Sequence, residues 1–483
     1  MRLKIEELFS EGSVTGASFD SRKVKAGDAF FAITGDSFDG NEYIDDAFKN
    51  GASFVFTDNP SKKGKNIEYF ADIRMGLAIA ADILFQKTPK NLVAVTGTNG
   101  KSSVVSYVHQ ILAKLEKSSA CIGTLGIEST EEITTASLDN TNSALTTADP
   151  ITFRKTLNLL SNAGVENVAF EASSHGLFQR RLGDVKVKSA AFTSFSQDHL
   201  EYHQTMEEYL QAKLILFTEN LIDGGETVLN SEIMFFDFIR SFLLEKNISF
   251  STVGNNGDVK IKRNKQSLEG QSICLEYKGK KYKFKTHIIG SFQVINLLIA
   301  TKLVSNLGIE FDEIIKKLPE IEAAPGRLQR ITNVENEYQV FVDYAHTPDA
   351  LEKSLQELKK LKKKPGNLYV VFGCGGDRDE LKRPIMGKIA SEIADKVIIT
   401  DDNPRTEDPR KIRGQIAEAA VEAEEIADRK SAIIDTIAKL RKDDIILIAG
   451  KGHEDYQIIG KERFQFSDIE IARRAVQKVW NRV

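Results

Sequence analysis

Leu92-Val93-Ala94-Val95-Thr96-Gly97-Thr98-Asn99-Gly100-Lys101-Ser102-Ser103 reads as an apolar strand, a Gly-rich loop and a Lys-Ser pair that opens a helix over Val104 to Leu115. Strand, loop and helix in that order make an anion nest. Successive backbone N–H groups and the positive end of the helix converge on one point. A lysine there supplies a mobile cation for the β/γ-phosphates, and the adjacent hydroxyl is placed for Mg²⁺. The loop is shorter than the general Walker pattern, because only Thr98 and Asn99 separate Gly97 from Gly100. The plain alternative is a Gly-rich turn carrying a solvent lysine.

This segment marks a change of texture along 483 residues, a length that suggests about three domains. Before it, Asp28 to Ile33 and Gly51 to Thr57 read as strands and Met75 to Phe85 as a helix, with Thr88-Pro89-Lys90-Asn91 as a linker. After it, α/β texture continues to Phe217. A polar β-leaning stretch follows from Phe250 to Ile288, with Lys278-Gly279-Lys280 as a hairpin turn, and then a helix from Ser291 to Leu307. Ala323-Ala324-Pro325-Gly326-Arg327 reads as a hinge. The expected architecture is α/β with three domains, 1–90, 91–325 and 326–483, the central one a phosphate-loop parallel sheet and the last Rossmann-like.

In the third domain, three apolar runs each end in a polar loop. They are Leu368–Phe372 into Gly373-Cys374-Gly375-Gly376-Asp377, Val397–Thr400 into Asp401-Asp402-Asn403-Pro404, and Ile445–Ala449 into Gly450-Lys451-Gly452-His453. Continuous apolar strands argue for a parallel sheet covered on both faces, and ligands of such sheets sit beyond the carboxyl ends of the strands. Cys374 lacks a His/Asn partner nearby and reads as a small residue in a tight loop, not a nucleophile.

Lys plus Arg is 65 and Asp plus Glu is 69, a net charge of −4 that lacks the footprint of a nucleic-acid binder. With 41% hydrophobic and 28% charged residues the chain is a folded globular protein. Three cysteines without a C-x-x-C pair exclude a zinc ribbon and a disulfide framework. The N-terminus lacks the apolar core of a signal peptide and no run approaches the roughly 18 apolar residues of a membrane span. A cytoplasmic monomer with no membrane insertion is expected. The run Lys359-Lys360-Leu361-Lys362-Lys363-Lys364 is a solvated helix end.

Five motifs in order resemble the Mur ligase and folylpolyglutamate synthetase superfamily across nearly the whole chain. They are the Gly97–Ser102 loop, Glu171-Ala172-Ser173-Ser174-His175-Gly176-Leu177, Asp198-His199-Leu200-Glu201-Tyr202-His203, Asp343-Tyr344-Ala345-His346-Thr347-Pro348, and Asp402-Asn403-Pro404-Arg405. Glu171 closes an apolar run, so its carboxylate belongs at a strand's carboxyl edge near the loop, a hard oxygen ligand suited to Mg²⁺; a capping or salt-bridged Glu is the plain alternative. His199 and His203 are i, i+4 and would share a helix face. The resemblance implies that His203 holds a second Mg²⁺, that Ser102 and Glu171 serve the metal, and that Lys213 is carbamylated into a carboxylate-like ligand. Without it Lys213 reads as an ordinary helix lysine. ATP would be held by Gly97, Thr98, Asn99, Gly100, Lys101, Ser102 and Ser103, with Asn296 near adenine, Arg327 facing phosphate, and Asp343 and His346 flanking. Gln293 stands where the family commonly has Asn.

The resemblance further implies a UDP-linked acceptor, UDP-N-acetylmuramoyl-L-alanyl-D-glutamate. Phe19-Asp20-Ser21-Arg22 and Gly35 to Asn41 resemble its nucleotide site, with Ser21 and Arg22 meeting uracil and diphosphate. Thr146 and Thr147, within Asn142–Pro150, resemble a threonine pair that touches the precursor. Ser173, Gln179 and Arg181 match positions holding its peptide end, with Arg180 as an equally basic neighbour. Thr57-Asp58-Asn59-Pro60 mimics the later D-N-P but lacks the arginine, and reads as an unrelated turn.

The motif ending in Arg405 bears on which amino acid is added. Family members that add meso-2,6-diaminopimelate carry D-N-P-R, and lysine-adding members usually replace the arginine. A guanidinium recognises the second carboxylate with two parallel hydrogen bonds. By the same resemblance Arg378, Asp402, Asn403, Gly450 and Glu454 complete that pocket; the plain alternative is an Arg405 salt-bridged to Glu407 or Asp408. The expected reaction runs through an acyl phosphate at the γ-carboxylate of D-glutamate, with Lys101, Glu171, His203 and Lys213 as the catalytic set. Rivals are the same ligase adding L-lysine, a folylpolyglutamate-synthetase-like ligase, disfavoured by the domain preceding residue 92, and a phosphate-loop switch that ligates nothing.

Overall fold

The computed structural model describes residues 2–35, 38–133, 145–333 and 335–480. Of the segments read above, 36–37 within Gly35–Asn41 and Asn142, Ser143 and Ala144 lie outside the described residues. The architecture is α/β in three domains, each with its own sheet.

The first domain carries four parallel strands in sequence order, Gly16–Ser18, Asp28–Ala32, Phe54–Thr57 and Ile67–Tyr69. Phe31, Phe56 and Phe70 stack beneath them at 5.0 Å centroid spacings. The helix read from Met75 begins two residues earlier, Ile73–Leu84, because Asp72 caps it by accepting from the Met75 N–H at 3.1 Å. Asp58, in the turn read as unrelated to the later D-N-P motif, has a structural task within the first domain. Its carboxylate accepts from the backbone N–H and hydroxyl of Thr34, each at 2.8 Å, and from Asn41 Nδ2 at 2.8 Å. It therefore pins the loop that follows Asp28–Ala32, a tertiary tie that spacing along the chain does not reveal.

The central domain is built on a ten-stranded sheet in which Asn91–Thr96 lies between Asn167–Glu171 and Val187–Phe192, all three parallel. Strand order runs from there to Ser119–Gly123 on one side and to Leu221–Asn230 and Ser249–Gly254 on the other. The reversal falls beside Asn91–Thr96, and such a switch point opens a crevice at the carboxyl edge. Register sharpens it: Val95 pairs with Glu171, so the carboxylate lies beside the start of the Gly97 loop. The polar β-leaning stretch from Phe250 takes in the strand Ser249–Gly254 and then three more, Val259–Ser267, Gly270–Tyr277 and Lys280–Thr286, extending the same sheet. Helices Lys101–Lys114 and Ser291–Asn306 pack against each other on one face. The second is apolar on nearly every side, with Val294, Leu297, Leu298, Ile299 and Leu303 buried, as befits a helix inside a core and not on its surface.

The third domain orders its strands Gln329–Arg330, Gln339–Asp343, Ile445–Ala449, Leu368–Phe372, Lys396–Ile399 and Glu424–Glu425. The three expected units are present and parallel. Gln339–Asp343 joins them beside Ile445–Ala449, with Asp343 paired to Ala449, so the loops after Asp343 and Ala449 emerge side by side. Thr347 and Pro348 start the next helix, Pro348–Leu361, as N-cap and first-turn residue. From that helix Glu357 accepts from the Ser291 N–H at 2.7 Å and hydroxyl at 2.8 Å, and from Gln266 at 2.9 Å. One carboxylate thus ties the third domain to the start of the central domain's buried helix.

Candidate active site

The Gly97 loop is formed by backbone geometry before any ligand is considered. Gly100 has φ 90° and caps the helix, and a Cβ there would stand 2.7 Å from Asn296 Oδ1, so only glycine allows Asn296 to approach. Ser194 fixes the turn: its carbonyl accepts from the Thr98 N–H and its hydroxyl from the Asn99 N–H, both at 2.8 Å. Lys101 Nζ donates to the carbonyls of Gly97 at 2.8 Å and Thr98 at 2.9 Å. Lys213 Nζ donates to the same Gly97 carbonyl at 3.0 Å. Two amines therefore converge on one oxygen.

Lys213 is 1% exposed and stands 4.2 Å from the centre of the Tyr209 ring. Burial, reinforced by the nearby charge of Lys101 and opposed by Asp198, holds its pKa well below that of an ordinary lysine. It is thus far from a plain helix lysine: a neutral amine is the nucleophilic form that carbamylation requires. Burial lowers Lys101 as well, with Glu171 and Asp198 opposing.

Glu171 is buried, and Thr124 holds its carboxylate at both oxygens, through the backbone N–H at 2.8 Å and the hydroxyl at 3.3 Å. Ser102 Oγ accepts from Arg327 Nη2 at 2.9 Å. His203 is buried with Nε2 lacking any hydrogen-bond partner. His199 does not share its helix. It stands at φ 55° as the cap of the short helix Leu200–His203, because the chain must turn sharply to enter it. Both rings instead gather around His175, at 4.7 Å for His199 and 5.4 Å for His203. Burial presses the pKa of His203 down to about 4 and that of His175 to about 3. Among the described residues no three His, Cys, Asp or Glu side chains converge as a ready metal cage. The Ser102 hydroxyl and the Glu171 carboxylate are hard oxygen donors of the kind Mg²⁺ takes beside phosphate oxygens and water, and His203 leaves a buried nitrogen without a protein partner.

A cavity of about 130 Å³ separates the central and third domains, lined by Asn99, Gly100, Asn296, Arg327, Asp343 and His346 among others. Every residue expected near adenine, ribose and phosphate beyond the loop therefore meets there. Arg327 also stacks on Tyr344, 4.4 Å from the ring centre. Asp343 accepts from Ser354 at 2.8 Å, and burial lifts its pKa to about 6. His346 Nδ1 meets the Tyr344 carbonyl at 2.8 Å, and burial lowers its pKa to about 4. Gln293 is fully engaged with Tyr107, Asn296 and the Arg327 carbonyl, so its longer side chain serves the protein's own frame.

Thr147, Ser173, Gln179 and Arg181 form one cluster. Thr147 donates to the Glu171 carbonyl at 2.9 Å and accepts from the Ser173 N–H at 2.9 Å. Arg181 donates to the Thr147 carbonyl at 2.7 Å and twice to Gln179 Oε1. Thr146 meets the Thr124 hydroxyl at 3.2 Å. Arg180 turns away to Glu219 at 2.7 Å and Asp72 at 3.0 Å, which separates the two adjacent arginines. Ser21 and Arg22 lie apart from this cluster on the first domain. Arg22, 86% exposed at its side chain, is held by its neighbour Asp20 at 2.8 Å, and Ser21 is buried, its carbonyl accepting from Asn50 at 2.9 Å.

At the third domain's carboxyl edge, Arg405 and Arg378 flank Gly375: a Cβ there would lie 2.8 Å from Arg405 Nη1 and 3.8 Å from Arg378 Cγ. Each guanidinium donates to one backbone carbonyl, of Gly376 and Asp377 respectively, and neither forms an ion pair among the described residues. Glu407 is taken by the buried Arg383 and Asp408 caps the next helix, so the loop salt bridge is not made. Asn403, Lys451 and Glu454 interlock at 2.9–3.0 Å. Gly450 packs against Asp402, where a Cβ would stand 2.6 Å from Oδ2. Cys374 is buried with its pKa lifted to about 12, a small core-facing thiol.

Several site residues escaped the sequence reading. His175, Asp198 and Tyr344 lie inside motifs already quoted and were legible there. Thr124, Ser194 and Asp349, whose Oδ2 accepts from Asn99 at 3.1 Å, carry no local signal.

Family models match in three consecutive spans: the Mur ligase family catalytic domain over 13–92, the Mur ligase middle domain over 95–304, and the Mur ligase glutamate ligase domain over 326–452. A Rickettsia conorii protein named UDP-N-acetylmuramoyl-L-alanyl-D-glutamate–2,6-diaminopimelate ligase is 49% identical over 482 residues, covering 99% of both chains. A solved structure of a ligase of that name aligns with a TM-score of 0.67 at 33% identity, over 96% of this chain and 95% of that one. A Mycobacterium tuberculosis folylpolyglutamate synthase complexed with ADP aligns with a TM-score of 0.64 at 18% identity. It covers 79% of this chain and 92% of that one, a likeness of fold alone.

Proposed function

The chain belongs to the Mur ligase family, and on that premise we propose that it joins meso-2,6-diaminopimelate to UDP-N-acetylmuramoyl-L-alanyl-D-glutamate in an ATP-dependent step of peptidoglycan precursor synthesis. The observation that carries the choice of amino acid is the pair Arg405 and Arg378 at Gly375, two guanidiniums with no carboxylate of their own among the described residues. L-Lysine lacks the second carboxylate that would satisfy them.

In this reading the domains fall at 1–90 for the UDP-precursor, 91–325 for ATP and 326–483 for the amino acid. The matched spans 13–92, 95–304 and 326–452 support those bounds. The γ-carboxylate of the acceptor takes the terminal phosphoryl group of ATP, giving an acyl phosphate and ADP. The amine of diaminopimelate then adds to the acyl carbon, and collapse of the tetrahedral intermediate forms the amide and expels phosphate. Lys101 leaves the Gly97 and Thr98 carbonyls for the phosphate oxygens and screens the charge that gathers there. Gly97, Thr98, Asn99, Gly100 and Ser103 cradle the phosphates, Asn296 meets adenine, and Arg327, Asp343 and His346 close the nucleotide side. Thr146, Thr147, Ser173, Gln179 and Arg181 orient the precursor's peptide so that its carboxylate reaches Glu171, while Ser21 and Arg22 hold its UDP end. Ser102, Glu171, His203 and a carbamylated Lys213 would hold Mg²⁺, which when bound supplies charge neutralisation for the phosphates and the acceptor carboxylate. Asp402, Asn403, Gly450 and Glu454 hold the amino acid's distal end beside Arg405 and Arg378.

No helix among the described residues is long and apolar enough to cross a membrane; a cytoplasmic monomer remains part of the proposed reading. The deciding experiment measures ADP release with the UDP-muramyl-dipeptide against a panel of diamino acids. Release should require both acceptor and meso-diaminopimelate, with L-lysine a poor substitute. Preference for lysine would overturn the choice of amino acid, and slow hydrolysis indifferent to both would overturn the ligase.

A further inference from the structure

Arg378 and Arg405 reach Gly375 from different loops, which leave the sheet side by side where Phe372 pairs with Ile399. Behind both loops lies Arg383, in the helix Lys382–Ile393 and wholly buried. Its guanidinium grips Glu407 with two parallel hydrogen bonds, Nη1 to Oε2 and Nη2 to Oε1, each at 2.9 Å. The same two nitrogens donate to Gln415 at 2.6 Å and to the Gly375 carbonyl at 3.2 Å. Glu407 in turn accepts from the Asp377 N–H. Around this pair the loops are laced together. The Gly376 N–H donates to the Asn403 carbonyl at 2.9 Å, and the Asp377 carboxylate takes the Thr406 N–H at 3.2 Å and its hydroxyl at 2.8 Å. The approach is so close that a Cβ on Gly376 would stand 1.9 Å from the Pro404 carbonyl oxygen. Asp377 and Arg405 both lie in the left-handed region, each at φ 52°, a conformation that persists only where the surroundings hold it.

We propose that Arg383 is a positioning residue for amino-acid selection. By holding Glu407 and Gly375 it fixes the spacing of Arg378 and Arg405, and it keeps Glu407 from neutralising Arg405. The second carboxylate of the diamino acid then finds both guanidiniums free. The proposal rests on the reading that these two arginines receive that carboxylate. Glu407 stands two residues along the chain from Arg405, yet its carboxylate is spent on a buried fork whose geometry is directional as well as strong. Breaking a buried pair on one side leaves the other charge uncompensated. Released from Arg383, Glu407 would turn to a cation without a carboxylate, and Arg405 is such a cation. The harm of removing Arg383 therefore comes partly from the carboxylate left behind, and removing that carboxylate too should undo part of it. A pair that merely stiffens the fold behaves in the opposite way, with two deletions at least as harmful as one.

The test is made on the full chain with ATP and the UDP-muramyl-dipeptide, measuring kcat and KM with meso-diaminopimelate and with L-lysine, the KM of ATP, and the melting temperature. Arg383→Met should raise the KM of diaminopimelate about 10–100-fold, with the KM of ATP within about twofold. Because lysine does not use the two guanidiniums, the ratio of kcat/KM for diaminopimelate over lysine should fall by at least about tenfold. Combining the Arg383 variant with Glu407→Gln should regain at least about threefold of that ratio. Should Arg383→Met lose its cooperative melt, Arg383→Lys replaces it, keeping the charge without the fork, and should lower the ratio by at least about threefold. An unchanged ratio in the Arg383 variant, or a double variant no better than the single one, would overturn the positioning role. Arg405→Ala separates the two readings. If it leaves the ratio unchanged, the carboxylate site fails and the positioning role with it; if it collapses the ratio while the Arg383 variant does not, the positioning role alone fails.

Discussion

The central and third domains present the same construction, parallel strands ending in polar loops, yet they treat their cations in opposite ways. At the central edge Lys101 and Lys213 are already satisfied by the Gly97 carbonyl. At the third domain's edge Arg405 and Arg378 each hold a single carbonyl and no carboxylate. Amines on flexible stems can be stored on backbone oxygens and released when phosphate arrives. A guanidinium carries five donors in a rigid fork, so a single backbone carbonyl leaves most of them for a planar anion. On the proposed reading, the first edge meets a charge that gathers at one moment of the reaction, and the second a charge present throughout.

The contrast breaks most sharply at Lys101. Lys101→Ala should lower ligation by at least about 10²-fold with the melting temperature little changed, since it removes charge stabilisation and not core packing. Retention of a tenth of the wild-type rate would mean the stored amine is not the phosphate ligand. Lys213→Ala should be nearly as damaging, and a small carboxylate such as formate in the buffer should restore part of the rate. A fully active variant would leave the depressed amine a structural feature. On the other edge, Arg405→Ala should cost ~2–5 kcal/mol in kcat/KM for diaminopimelate, with the KM of ATP within twofold. Equal losses for both substrates would show that the two edges are not independent.

The smallest effect is a pH dependence. His175, His203, His346 and His453 are held neutral, with folded pKa values of about 3 to 4, below the ordinary value of 6.5. Between those values the unfolded chain binds protons that the folded one refuses, so stability should be present above pH 6.5 and decline as pH falls toward 4. A melting temperature flat across that window would show the imidazoles to be better solvated than their packing implies. His175→Gln should flatten the slope by removing one of the four.

Much of this site is legible in the chain itself where chemistry is local. Gly97 to Ser103 dictates a loop whatever surrounds it, because glycine conformations, a helix start and a lysine four residues from the first glycine need no distant partner. The apolar runs 368–372, 397–400 and 445–449 likewise dictate a buried parallel sheet. The regular 3.6 spacing that put His199 and His203 on one helix face failed because a four-residue helix entered by a left-handed residue has no face to share. The ties of Asp58 to Thr34 and Asn41 were not legible because those partners are 24 and 17 residues away.

What the sequence determined by itself is the set of chemical groups and their attachment to strand ends: the phosphate loop, the carboxylate closing Val168-Ala169-Phe170, and the arginine after D-N-P. Tertiary structure alone decided which of them meet. Register brings Glu171 beside Val95 and Asp343 beside Ala449; burial converts Lys213 from a surface cation to a depressed amine; Arg180 and Arg181, adjacent in sequence, part because Glu219 and Asp72 capture one of them. The physical reason is common to all three. Strand composition follows from side-chain preferences that each residue carries with it, whereas proximity, desolvation and the choice between equivalent charges are properties of pairs, and pairs exist only once the chain has folded.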